Sequence, residues 1–168
     1  MRPCATESVP YDRCMYISPE GGVESIIVSQ CLAAKARRVD RVLVSLYDRR
    51  IRPLGITVAQ LDVLATLLEA KDASRPIDLA QRMYMDPSTV SRNLSRLERL
   101  RLVATRPGRT SREHLVSVTS AGRRRAAKAF ALWSDAQREA SRLLGADGVR
   151  ALDLLGRRIG ESRRKKVS

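Results

Sequence analysis

The residues from Met85 to Arg99 combine a helix start, short hydroxyls and spaced arginines in a pattern typical of a helix that reads DNA. Asp86 is a favourable N-cap, because its carboxylate can accept hydrogen bonds from the free amides of a first helical turn, and Pro87 suits the next position. An apolar stripe at helical spacing is formed by Val90, Leu94 and Leu97. The opposite face carries hydroxyls and cations, namely Ser88, Thr89, Arg92, Ser95, Arg96 and Arg99.

That polar face has a chemistry suited to nucleic acid. Short hydroxyl side chains let a helix approach base edges closely, while arginine either reads guanine or holds a backbone phosphate. An ordinary amphipathic helix on a protein surface has the same apolar stripe, so this helix alone leaves both interpretations open.

The positive charge of the chain is concentrated around this helix. The 168 residues carry a net charge of +14, and the stretch from Arg82 to Lys128 holds 12 basic and three acidic residues, a net charge of +9. A concentrated basic surface attracts a polyanion through counterion release. RNA-binding proteins are also basic, but Tyr84 is the one aromatic residue in this stretch that is available to stack on bases.

The neighbouring segments predict a winged helix-turn-helix. Residues 77–83 predict a short helix, and the turn Tyr84-Met85 joins it to the basic helix. Two runs rich in β-forming residues, 102–106 and 114–118, flank a Pro-Gly tip and predict a hairpin, or wing. The arginines of that tip, Arg109 and Arg112, are candidates for contacts in a minor groove, although a solvated β-turn is the simpler interpretation.

Helices are predicted on both sides of this segment. From about Ile26 to Arg50 the pattern is helical, with an apolar seam at alternating spacings of four and three that consists of Leu32, Ala36, Val39, Leu43 and Leu46. Thr57 is predicted to cap the following helix, with Gln60 completing a capping box. Thr119 or Ser120 begins a long helix to about Leu144, and residues 149–159 predict a last helix.

Composition argues against several other classes of protein. The three cysteines, Cys4, Cys14 and Cys31, are an odd number without a secretory signal, which argues against a disulfide scaffold. His114 is the single histidine, and no zinc spacing is present. No apolar run is long enough to span a membrane. We therefore expect no catalytic residue, metal or cofactor, and an enzyme is not the predicted class.

The ordered set of motifs resembles the MarR family of bacterial regulators. It begins with residues 47–57 and Gln60-Leu61-Asp62-Val63-Leu64 and continues through Asp86-Pro87-Ser88-Thr89-Val90-Ser91-Arg92 and Leu97-Glu98 to the wing. It closes with Val116-Ser117-Val118-Thr119-Ser120-Ala121-Gly122, which is similar to the strand-to-helix ending of that family. The resemblance covers about residues 26–160.

The resemblance implies a homodimer on double-stranded DNA, with one recognition helix in each of two major grooves and each wing at a minor groove. By position, the residues implied to contact bases are Ser88, Thr89, Arg92 and Asn93. Arg96 is implied to contact phosphate and Arg112 to be the wing-tip arginine, while Arg99 and Arg109 complete the predicted DNA-binding set. Such regulators usually repress nearby genes and release DNA on binding a small ligand or on cysteine oxidation.

With this resemblance, the sequence predicts a mainly α fold with a small β-hairpin wing, and an α-helical dimerisation region built from the N- and C-terminal helices. Its expected parts are a mobile extension (1–25), a dimerisation helix (26–56), a winged helix-turn-helix domain (57–119), C-terminal dimerisation helices (120–160) and a basic tail (161–168).

Two positions depart from the family pattern. An aspartate usually stands two residues before the wing-tip arginine, where this chain has Thr110, so the wing is expected to be looser or held by a hydroxyl. A glycine usually ends the recognition helix, where this chain has Arg101. If Arg101 adopts a left-handed conformation, it costs stability relative to glycine.

The sensing mechanism is left open by the sequence. Tyr47, Asp62 and Trp133 are candidates to line a pocket for a small organic effector, with core packing or an ion pair as the alternative roles. Cys31 is the candidate redox sensor, with Cys4 or Cys14 available to resolve it, although a buried helix-face cysteine is the commoner case. The sequence thus predicts a cytoplasmic, nucleoid-associated bacterial repressor released by a ligand. The alternatives are a Cys31 redox switch and a DNA-coating protein without sequence preference.

Overall fold

The structure of the protein is a computed structural model that describes residues 22–108, 110 and 113–167. These residues form six helices and one antiparallel hairpin. In chain order they are α1 (Val23–Gln30), α2 (Leu32–Ile51), a 3₁₀ turn (Arg52–Leu54), α3 (Val58–Glu69), α4 (Pro76–Arg82), α5 (Pro87–Arg99), β1 (Val103–Pro107), β2 (His114–Val118) and α6 (Ser120–Val167). The predicted mainly α fold with a β-hairpin is confirmed.

The chain divides into two compact units, Met1–Arg41 and Val42–Ser168. In the first unit the prediction of one continuous helix from Ile26 is wrong, because Cys31 has an extended conformation (φ −60°, ψ 112°) that separates α1 from α2. The amide of Cys31 still bonds to the carbonyl of Ile27, and its own carbonyl accepts from Lys35 as α2 begins. No proline or glycine marks this break in the sequence.

The core of the second unit lies where α3, α4, α5 and the hairpin meet. The apolar stripe predicted for α5 is buried, with Val90 and Leu97 fully enclosed. The other large side chains that are fully enclosed are Ile51, Val63, Leu64, Leu79 and Leu102. Each such aliphatic side chain contributes about 1.5–3 kcal/mol relative to an exposed one. This core fixes α5 against the rest of the unit and leaves its polar face outside.

The start of α3 is held by side chains from two elements. Thr57 Oγ1 accepts from the Gln60 amide at 3.3 Å and Gln60 Oε1 accepts from the Thr57 amide at 3.1 Å, which confirms the predicted capping box. Asp48, near the end of α2, adds a bond that the sequence does not indicate, because its Oδ1 accepts from the Val58 amide at 2.6 Å. The first turn of α3 is therefore tied to α2 as well as to its own cap.

The junction between β2 and α6 is also closely packed. Thr119 Oγ1 accepts from the Gly122 amide at 3.0 Å and donates to the Arg101 carbonyl at 2.8 Å. A Cβ atom added at Gly122 would lie 2.1 Å from the carbonyl oxygen of Leu102. The glycine is required because backbone passes directly over this position.

The long helix α6 is broken at Gly145, whose φ of 65° and ψ of 173° are not helical. The first segment packs on the end of α2, with Leu46, Ala136 and Ala140 forming a small second core. Tyr47 donates to Gln137 in the same contact. Among the described residues no single helix is long and apolar enough to cross a membrane. One bent pair of helices, Leu32–Leu54 with Val58–Glu69, has the length and composition of a broken membrane span, and nothing else in the described part of the chain indicates one.

Candidate nucleic-acid interface

The recognition helix α5 begins as its sequence predicts. Asp86 Oδ1 accepts from the Ser88 amide at 2.8 Å, and Pro87 occupies the first turn. Hydrogen bonds from Ser88 lower the pKa of Asp86, and the positive charge of Arg92 acts in the same direction. The carboxylate is therefore held ionised at the start of the helix, where negative charge is favourable.

The turn before α5 is fixed by a left-handed residue. Tyr84 has a φ of 54°, and the Met85 amide bonds back to the Ala80 carbonyl at 3.0 Å. This is a helix-ending motif in which the backbone reverses direction at the left-handed position. It sets α5 at an angle to α4, so the two helices form the predicted helix-turn-helix.

Arg92 folds back along the helix onto two hydroxyls. Its Nη2 atom lies 3.2 Å from Thr89 Oγ1 and 3.4 Å from Ser88 Oγ. Ser88 and Arg92 are exposed, and Thr89 is half-buried. The guanidinium is thus presented at the start of α5, where a helix lying in a major groove approaches base edges.

The remaining predicted residues of α5 divide into two groups. Arg96 and Arg99 are exposed on the same helix, as a phosphate contact requires. Asn93, by contrast, is 9% exposed and lies among the buried residues Val90, Leu94 and Leu97. A side chain enclosed on the core side of the helix is not available to a base edge, so we remove Asn93 from the predicted base-contacting set.

The wing pairs in a single antiparallel register, with Val103 opposite Val118 and Pro107 opposite His114. Ser74 extends the hairpin on its other edge, because it exchanges two backbone bonds of 2.9 Å with Val116. Sequence reasoning missed this single-residue β-bridge, since the segment before α4 is too short to show a strand pattern. The wing is thereby attached to the start of α4.

The wing tip is closed by backbone bonds where the structure describes it. The Gly108 amide bonds to the Glu113 carbonyl at 2.7 Å, and the Glu113 amide bonds to the Thr110 carbonyl at 3.0 Å. Arg109 and Arg112, the predicted minor-groove residues, lie outside the described residues. Arg106 on β1 is exposed and belongs to the same basic stretch.

An ion pair near the wing was also not predicted from the sequence. Arg75 makes two bonds of 2.7 Å to Asp78 at the first turn of α4, and these bonds lower the pKa of Asp78. Both side chains are substantially exposed, so the pair contributes little stability, but it fixes the position of the arginine beside the wing.

The candidate sensing residues make separate contacts. Tyr47 bonds to Gln137 and packs in the core, and burial raises the pKa of its phenol. Trp133 stacks on Phe130 with ring centroids 5.8 Å apart. Asp62 is an exposed residue of α3, and partial desolvation of its carboxyl group by the surrounding atoms raises its pKa. Cys31 is a half-buried free thiol between α1 and α2.

A core-anchored basic helix after a tight turn, followed by a hairpin, defines a winged helix-turn-helix DNA-binding protein. A sequence profile of the MarR family matches residues 54–113. The transcriptional regulator MosR of M. tuberculosis, in complex with DNA, is 31% identical, covers 80% of this chain and 99% of its own, and has a TM-score of 0.68. The chain belongs to the MarR family, and it is a DNA-binding transcriptional regulator.

Two further structures are similar. A mutant of MarR from E. coli complexed with operator DNA is 25% identical, covers 80% of this chain and 96% of its own, and has a TM-score of 0.69. The oxidised form of E. coli MarR is 26% identical, covers 76% of this chain and 93% of its own, and has a TM-score of 0.61. No curated protein sequence matches the chain.

Proposed function

We propose that the protein is a homodimeric repressor that binds a pseudo-palindromic operator in the bacterial cytoplasm. The observation that carries this proposal is the outer face of α5, where Ser88, Thr89 and Arg92 are grouped at the helix start and Arg96 and Arg99 follow. Hydroxyls and one arginine suit base edges, while the later arginines suit the phosphate backbone.

The base-reading role is tested by a footprint on genomic DNA. A sequence-specific dimer protects a discrete pseudo-palindrome with half-sites about one helical turn apart. Uniform protection at all concentrations would support instead a DNA-coating protein without sequence preference. The stretch of DNA beside the gene of this protein is the first fragment to use, because such regulators commonly control their neighbours.

The dimer is supported by apolar residues that each unit exposes. In the first unit these are Val23, Ile27, Val28, Leu32 and Val39. In the second unit they include Leu143, Leu152, Leu154, Leu155 and Ile159. Large exposed apolar side chains in this number are typical of a protein–protein interface.

Light scattering at micromolar concentration tests the dimer directly. The wild type is expected at twice the chain mass, and Leu155→Asp is expected to shift it to the monomer. Ser162→Asp puts the same charge at an exposed polar position of the same helix and is the matched control. A wild-type monomer would exclude the proposed arrangement.

We further propose that a small organic ligand controls DNA release by changing the distance between the two recognition helices. A dimer that holds two half-sites is sensitive to that distance. The stacked pair of Phe130, 66% exposed, and Trp133 offers an aromatic surface for such a ligand. Release of operator by stoichiometric peroxide, absent in Cys31→Ser, would support the redox alternative instead.

The wing is proposed to contact the minor groove through Arg109 and Arg112. Arg112→Ala is expected to reduce the salt dependence of binding by about one unit per wing, because one phosphate contact is lost. An unchanged salt dependence in Arg112→Ala would mean that the wing does not contact the DNA through this residue.

A further inference from the structure

The last segment of α6 reaches the helix-turn-helix. A Cβ atom added at Gly160 would lie 3.4 Å from the hydroxyl oxygen of Tyr84, so the helix backbone passes close to the tyrosine at this point. Tyr84 is the left-handed residue of the turn and stands four positions before Ser88. The approach is specific to one position, because Gly156, one turn earlier on the same helix, has no atom within 4 Å of its added Cβ.

The residues around and beyond Gly160 are strongly basic. From Arg157 to Val167 there are six basic residues and one acidic residue, a net charge of +5. Four of these cations are consecutive, Arg163-Arg164-Lys165-Lys166, and the helix continues through them to Val167. At about 1.5 Å per residue this run begins within ~5 Å, along the helix axis, of the contact with the turn.

We propose that the C-terminal end of α6, residues 157–167, is a third DNA-contacting element that binds backbone phosphates beside the recognition helix. The turn at Tyr84 leads directly into Asp86 and the start of α5. The helix backbone that carries these basic residues therefore passes next to the turn that leads into α5. A cation acts on a phosphate over about one Debye length, roughly 10 Å at 0.1 M salt. The proposal rests on the DNA-binding role proposed for α5 and extends the interface from the wing and α5 to the end of the chain.

Phosphate contacts carry no sequence information, so the effect of this element is expected to be the same for every duplex. The test therefore uses a mixed-sequence duplex as well as the operator. A chain ending at Ser162 is expected to bind both more weakly, and its salt slope is expected to fall by roughly one to three units per tail. The preference for operator over mixed-sequence DNA should be unchanged, since α5 is intact.

The position of the tail is tested by variants that keep all charges. Gly160→Leu adds a bulky side chain whose first carbon would already be in van der Waals contact with the Tyr84 hydroxyl, at 3.4 Å, and the rest of that side chain is expected to move the helix end away from the turn. Its salt slope should fall toward that of the truncated chain. Gly156→Leu adds the same side chain in open space and should keep the wild-type slope. Thermal melting checks that both variants fold.

Three outcomes would overturn the proposal. The first is a truncated chain whose DNA binding keeps the wild-type salt slope. If that truncated chain also lost binding to anionic lipid vesicles, the basic tail would be assigned to a membrane surface and not to DNA. The second is equal behaviour of Gly160→Leu and Gly156→Leu. The third is a truncation that lowers operator affinity alone, because backbone contacts affect both duplexes. A failure of operator preference in every variant, with the salt slopes as expected, would contradict the repressor proposal and leave this one intact.

Discussion

The guanidinium of Arg92 lies 3.2 Å from the hydroxyl oxygen of Thr89, three residues earlier on the recognition helix. The arginine is therefore held along the outer face of α5 by a neighbour that is itself suited to contact a base. This arrangement reduces the side-chain conformational entropy that Arg92 loses when it binds DNA.

Arg92→Ala is expected to reduce discrimination at one base pair of each half-site by about 1–3 kcal/mol, because a bidentate base contact is lost. Arg96→Ala is the matched variant on the same helix and should weaken operator and mixed-sequence duplex equally. Binding titrations with the operator and with single-base variants measure both effects. If both variants lost equal affinity for specific and non-specific DNA, the base-contacting role of Arg92 and the phosphate-contacting role of Arg96 would be assigned wrongly.

Arg101→Gly is expected to stabilise the protein. Arg101 has a φ of 57°, and the bonds from its amide to Glu98 and from the Leu102 amide to Leu97 end α5 in the motif that favours glycine. Relief of the left-handed strain is worth about 1 kcal/mol, or roughly 2–4 °C in Tm. Arg101→Ala removes the same charge and keeps a Cβ atom, so it should not give this gain. Equal melting temperatures of the two variants would exclude backbone strain as the cause.

Gly122→Ala is expected to destabilise the protein by about 1–3 kcal/mol, because the new methyl group overlaps the Leu102 carbonyl and contacts Val118. Gly156→Ala has open space around the same methyl group and should gain about 0.5–1 kcal/mol from helix propensity. Denaturant unfolding of both variants measures the difference. A Gly122→Ala variant as stable as the wild type would contradict the close passage of the backbone.

Asp62→Asn is expected to raise Tm at pH 7 and to leave it unchanged at pH 3. Partial burial raises the pKa of Asp62 above its ordinary value of 3.8, so the folded protein binds this proton more tightly than the unfolded chain. Stability from this group is thus present below pH 3.8 and is lost as the pH rises through the higher folded pKa. Thermal melts at the two pH values test this, and a gain at pH 3 would assign the effect to packing.

Local signals in the sequence predicted the elements that position the candidate site. The Asp86 cap, the Thr57–Gln60 capping box and the hairpin are each determined by residues close in the chain, and all three are present. The burial of Asn93 could also have been predicted, because it lies three residues after Val90 and four before Leu97 and therefore falls on the apolar face of α5. Its polar side chain led us to expect it on the outer face instead. The break at Cys31 and the contact of Gly160 with the turn had no such local signal.

The carboxylate of Asp48 on the Val58 amide, with Arg125 on the Leu54 carbonyl, closes both sides of the short corner between α2 and α3. These two hydrogen bonds restrict changes in the angle between α2 and α3. Because these bonds tie α3 to the end of α2 and the corner to α6, we expect α3 to move together with the end of α2, and the shared core to move α5 with them. Asp48→Ala removes one of these two bonds and is expected to weaken the coupling between the end of α2 and the recognition helix.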